Sequence, residues 1–135
     1  GQATADTALQ WTSVPSHLPS GAQVAVVSGD PTKPVLTTVE LILPSGYGIP
    51  PHFHPVDESI EVLEGAVLVG VGDVMDPGKA MRANAGDAST LNSLAHHYLI
   101  AAETARVRVT FMGPYTVTYV QTGQASERSI FPPGF

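Results

Sequence analysis

The apolar residues of this chain come in short runs rich in Val, Ile, Thr and Tyr, and Gly, Pro, Asp or Asn interrupts each run within a few residues. β-Branched and aromatic side chains suit a pleated, half-buried surface, and runs this short cannot supply the turns of a long amphipathic helix. The pattern predicts an all-β fold. Candidate strands are Gln23 to Ser28, Leu36 to Leu43, Ser59 to Leu63, Ala66 to Val71, Lys79 to Arg82, Ala88 to Leu91, His97 to Ala101, Ala105 to Met112 and Tyr115 to Gln121. Gly29-Asp30-Pro31, Pro44-Ser45-Gly46, Asp76-Pro77-Gly78 and Gly113-Pro114 supply the turns between them. The only helical expectation is a single turn over Asp6 to Trp11.

Alternation gives the strands an inside and an outside. In Ala105 to Phe111, Val107, Val109 and Phe111 share one face, while Arg106 and Arg108 share the other. Glu58 falls on the same side as Ile60 and Val62, so its carboxylate points with the apolar face and requires a partner there. Glu61 and Glu64 read as solvated charges or partners of the strand arginines.

Composition removes several function classes. A chain of 135 residues, 43% of them hydrophobic, fits one domain over residues 1–135, with residues 1–20 as an N-terminal extension and 125–135 as a C-terminal tail. The formal charge is −6 with only six Lys and Arg, and there is no basic run to neutralise phosphates, so nucleic acid is not an expected partner. No apolar stretch approaches the roughly 20 residues of a membrane-spanning helix, so no membrane partner is expected. The opening Gly1-Gln2-Ala3-Thr4-Ala5-Asp6 is small and polar, as after removal of a secretory signal, which points to a periplasmic or secreted protein and otherwise to a soluble cytoplasmic one. With no cysteine, any metal must be held by His and carboxylate.

Such ligands are available. His52 and His54, two residues apart in a segment that Pro50, Pro51 and Pro55 hold extended, project to one face and can converge on one ion. Imidazole nitrogens with a carboxylate oxygen suit Mn, Fe, Co, Ni, Cu or Zn. His17 belongs to no motif and reads as structural or exposed; Asp57 should face away from Glu58, and Asp87 reads as a turn residue.

The spacing Gly46, five residues, His52-Phe53-His54, three residues, Glu58, six residues, Gly65 resembles the first cupin motif, G-x5-HxH-x3-E-x6-G, without a mismatch. The second motif, G-x5-PxGxxH-x3-N, is matched more loosely from Gly86: Asn92 stands for Pro, Leu94 for Gly and Ala101 for Asn, while His97 matches by spacing. The resemblance implies a small antiparallel β-barrel of jelly-roll type, with His52, His54, Glu58 and His97 as ligands of one divalent transition metal ion. His96 is the alternative to His97, since a one-residue shift would exchange them.

Cupins resembling this one include dioxygenases, isomerases, decarboxylases and lyases. The leading expectation is therefore a metalloenzyme of dioxygenase, lyase or isomerase type acting on a small carbonyl-bearing or aromatic molecule, with Glu58 detaching to serve as base in a Lewis-acid route. Alternatives are a non-catalytic metal-dependent binding or sensing module, and a structural metal staple. Ile60, Val62, Leu99, Val109 and Phe111 are candidate pocket residues by parity, and Tyr47 and Tyr98 are candidates to present hydroxyls near the mouth. A homodimer is expected, formed through the strand Leu36 to Leu43 and the apolar tail Ile130 to Phe135.

Overall fold

The structure, a computed structural model, describes residues 8–120. Eleven strands in chain order build two antiparallel sheets: β1 (Thr12–Ser13), β2 (Gln23–Ser28), β3 (Leu36–Leu43), β4 (Gly48–Phe53), β5 (Glu58–Glu64), β6 (Ala66–Val71), β7 (Met81–Asn84), β8 (Ala88–Leu91), β9 (His97–Ala101), β10 (Ala105–Met112) and β11 (Thr118–Tyr119). One sheet has the order β11-β4-β9-β6-β7 and the other β1-β2-β3-β10-β5-β8. This is the expected all-β jelly-roll barrel, its apolar faces turned inward.

The alternation of β10 is realised as predicted. Val107, Val109 and Phe111 are buried in the core, opposite Val39, Ile60 and Val62 of the neighbouring strands. On the outer face Arg106 reaches Glu64 at 3.4 Å and Arg108 reaches Glu61 at 3.9 Å. Between the arginines Glu40 is buried, 2.9 Å from Arg108 and 3.3 Å from Arg106, so their stems cover a carboxylate on an otherwise solvated surface.

Some elements depart from the sequence pattern. Residues 8–11 form no helical turn, residues 6 and 7 lying outside the described range. The strand expected at Lys79 to Arg82 begins two residues later, because Asp76 caps a 3₁₀ turn over Pro77–Lys79 through a bond from the Gly78 amide. Only Thr118–Tyr119 of the last expected strand pairs, while Gln121 and the tail lie outside the described residues. β3 is not a sheet edge: β2 and β10 pair with it on either side, so an edge-to-edge dimer cannot run through it. Among the described residues no helix is long and apolar enough to cross a membrane.

β4 is a strand despite Pro50 and Pro51. Across β9 the register steps from His97↔His52 to Leu99↔Ile49, an irregularity that places both prolines opposite Tyr98. A bulge of this kind is where a strand tolerates residues that cannot donate to the ladder.

The altered second motif has a backbone consequence. Leu94 occupies the position where the cupin pattern has glycine and holds φ at +66°, with its side chain 62% exposed. The turn persists because the Leu94 amide donates to His54 O at 2.7 Å and the Ser93 amide to Asp57 Oδ1 at 2.7 Å. A branched side chain in this region is strained by about 1 kcal/mol, and little packing offsets the strain here. Leu94→Gly is expected to raise stability by roughly 0.5 kcal/mol, net of the greater freedom of glycine in the unfolded chain, with the urea midpoint as readout. A lower midpoint would show that the leucine packs usefully.

Candidate metal centre

Two sheets meet at the site. β4 carries His52 opposite His97 of β9, His54 follows the end of β4, and Glu58 opens β5 in the facing sheet. All four are buried. One ring nitrogen from each of His52, His54 and His97 lies within 4.8 Å of the others, so the three form a group able to hold a metal ion. Glu58 closes the fourth side, at 3.6 Å from His54 Nε2 and 3.9 Å from His97 Nε2.

The backbone fixes which nitrogen faces inward. His52 Nδ1 lies 2.7 Å from Pro50 O, His54 Nδ1 2.7 Å from Thr116 O, and His97 Nδ1 3.0 Å from Ala95 O. A carbonyl only accepts, so each Nδ1 carries the proton and each Nε2 is left as a bare lone pair. Nε2 of His54 and of His97 is buried without a hydrogen-bond partner, an expensive arrangement in a finished core. A cation is what such converging lone pairs fit, and the outward carbonyl bonds are the supports that metal-binding imidazoles normally have. Two nitrogens bound at ~2.1 Å can be no more than about 4.2 Å apart, so a separation within 4.8 Å leaves at most a small closure on binding.

Burial sets the electrostatics. Loss of solvent pushes His52 down to about 3, with a further contribution from His97, and His97 down to about 4; it lowers His54 as well. The same desolvation pushes Glu58 up to about 7. The imidazoles are thus neutral near neutral pH, and the carboxyl exchanges its proton there.

His96 is not part of this group. Its ring stacks on Phe53 at 4.9 Å, and Nδ1 pairs with Asp73 on the surface. The parity of β9 turns His97 inward and its neighbour out.

A cavity of about 520 Å³ opens on the site, reached by His52, Glu58 and His97. Ile60, Leu99, Val109 and Phe111 line it. Val62 does not: two residues further along β5, it is enclosed in the core. The two tyrosines expected at the mouth are elsewhere. Tyr98 points opposite to His97, lies over Gly70 and donates to Asp76 O at 2.6 Å, and Tyr47 donates to Pro19 O at 2.6 Å. Lining residues outside the motifs include Tyr115 and His17. Tyr115 packs between His54 at 5.1 Å and His17 at 5.2 Å, its hydroxyl held protonated by burial and by nearby Glu58. His17 is half-buried rather than exposed; burial, then the proximity of His54, lowers its pKa.

Residues 38–113 match the family described as the cupin domain, and the chain belongs to that family. Similar solved structures include KdgF from Halomonas sp., 26% identical over 79% of this chain and 89% of that one, with a TM-score of 0.61. An RmlC-like cupin from Shewanella frigidimarina NCIMB 400 is 16% identical over 82% and 87%, with a TM-score of 0.64. A candidate acetylacetone dioxygenase from Methylibium petroleiphilum PM1 is likewise 16% identical, over 89% and 80%, with a TM-score of 0.66. A search of curated proteins gave no match.

Proposed function

We propose that this cupin is a metal-dependent enzyme acting on small, largely apolar organic molecules that carry a carbonyl group, the β-diketones among them. The observation that carries the reading is the set of three Nε2 lone pairs, locked by backbone carbonyls and converging beside an ionisable carboxyl at the wall of an apolar cavity. His52, His54 and His97 would hold one divalent ion, with Glu58 as fourth donor. A bound ion would supply Lewis acidity toward a carbonyl oxygen and, if redox-active, one-electron chemistry.

The chain itself contributes three things. Ile60, Leu99, Val109 and Phe111 exclude water from the substrate's apolar part. The Nδ1–H bonds keep the imidazoles in one tautomer and orientation. Glu58, which lies beside His54 and His97, would detach from the ion to take the proton from the carbon next to the carbonyl.

A test is to incubate the metal-loaded protein with acetylacetone, benzoylacetone and a 2-keto acid, following enol absorbance and product mass. At least one is expected to turn over, and Glu58→Gln is expected to lower kcat by a hundredfold or more. Binding without turnover across such substrates would favour the sensing module.

A further inference from the structure

Outside the four residues of the centre, the cavity wall holds a polar side chain to which the proposed chemistry gives no role. His17 sits on the N-terminal segment 14–19, which is tied down at several points. Tyr119 donates its hydroxyl to His17 O at 2.7 Å, Tyr47 donates to Pro19 O at 2.6 Å, the Leu18 amide donates to Pro15 O at 3.0 Å, and the Leu18 side chain is buried. The imidazole lines the cavity and rests on Tyr115, whose ring is in turn against His54. It is therefore one aromatic ring removed from the metal group.

The His17 ring makes no hydrogen bond to any described residue. That distinguishes it from Thr32, Tyr47 and Tyr119. The Thr32 hydroxyl is engaged by Asp30, and Tyr47 and Tyr119 donate to backbone carbonyls. A half-buried imidazole has a donor and an acceptor to satisfy, and here the tied backbone and the tilted Tyr115 ring against it restrict its orientation beforehand, so a ligand bonding to it pays little to order it.

We infer that His17 is a specificity-determining residue: its imidazole hydrogen-bonds a polar group on the part of the substrate that lies away from the metal. The substrate then has a chelating carbonyl head, an apolar body that fills the cavity, and a hydroxyl or carbonyl beyond it. A site built this way discriminates against an analogue lacking that group, which leaves the imidazole unpaired when water is displaced. The inference rests on the carbonyl-substrate reading proposed above.

The test compares benzoylacetone with its 4-hydroxyphenyl analogue, titrated calorimetrically into the full chain loaded with zinc, whose lack of redox chemistry isolates binding. The parent is expected to prefer the hydroxylated diketone by roughly five- to tenfold, one hydrogen bond's worth. In His17→Leu the ratio of the two affinities should fall to about one. His17→Gln, which places an amide near the position of the ring nitrogen, should restore part of it and serves where the leucine variant melts early. A preference that survives in both variants, or equal affinities in the parent, would overturn the role of His17 while leaving the carbonyl reading in place. Failure of the parent to bind either diketone would overturn that reading, and the inference with it.

Discussion

Gly65→Ala is expected to destabilise the protein by about 3 kcal/mol or more, one of the largest effects of any single-methyl addition in this chain. Gly65 is the single residue between β5 and β6, where the chain passes from one sheet to the other. Its φ is +76°, and a Cβ there would lie 2.1 Å from Thr104 O and 2.9 Å from Ala105 Cα. Those are backbone atoms, so relief requires β10 to move against β5. Glu58 lies at the other end of β5 and His97 on the strand beside β6, so the displacement reaches the metal group. Gly46, the other glycine of the same motif, has φ at +87° but nothing within 4 Å of the added carbon. Gly46→Ala should therefore cost only the conformational strain, about 1 kcal/mol. Urea denaturation of the two variants measures the difference; equal midpoints would refute the steric argument.

Metal affinity is expected to fall about tenfold for each pH unit lost between pH 7 and pH 5, a slope of one proton, rather than collapsing with the several protons expected of ordinary histidines. Unfolded imidazoles titrate at 6.5, but burial holds His97 neutral to about 4 and His52 to about 3. Burial lowers His54 as well, so the main group that must shed a proton before a cation can enter in that window is Glu58, raised to about 7. The metal-free protein behaves differently. Between about 4 and 6.5 the unfolded chain takes up protons at histidines that the folded chain leaves bare, so their contribution to stability is lost as pH falls below 6.5. Glu58 has the opposite sign: from 4.5 to about 7 the folded state holds its proton, and that contribution is lost as pH rises. With His52 and His97 against one carboxyl, the metal-free stability should decline toward acid. Metal titrations and thermal melts from pH 5 to 8 read both slopes. A metal-affinity slope of two or more protons at pH 6 would contradict the burial argument.

Strands with clean alternation or unbroken apolar runs were legible from sequence because their pattern is a direct consequence of having two faces. Leu36–Leu43, His97–Ala101 and Ala105–Met112 run where the pattern places them. β4 is absent from the expected strands although its segment reads as held extended by Pro50 and Pro51, because two residues that cannot donate to a ladder give no sign of pairing, and the cross-strand irregularity with β9 accommodates them. The inward group His52, His54, Glu58 and His97 was legible from spacing, and the parity of β9 separates His97 from His96. What spacing could not supply was long-range closure. His17 comes to the cavity because Tyr119, 102 residues later, bonds its carbonyl, and Tyr115 reaches His54 from the far side of a Gly-Pro turn. Tyr47 and Tyr98 show the converse: a hydroxyl near the motif in sequence was engaged elsewhere by backbone carbonyls.

The most direct measurement is metal content by elemental mass spectrometry on the full chain purified without added metal, and again after exposure to excess divalent ions and desalting. The parent and His96→Ala should each carry close to one ion per chain, and His54→Ala and His97→Ala should carry almost none. A parent that takes up no ion under either condition, or an ion lost with His96 and kept without His97, would contradict a metal centre built on the three converging Nε2 lone pairs.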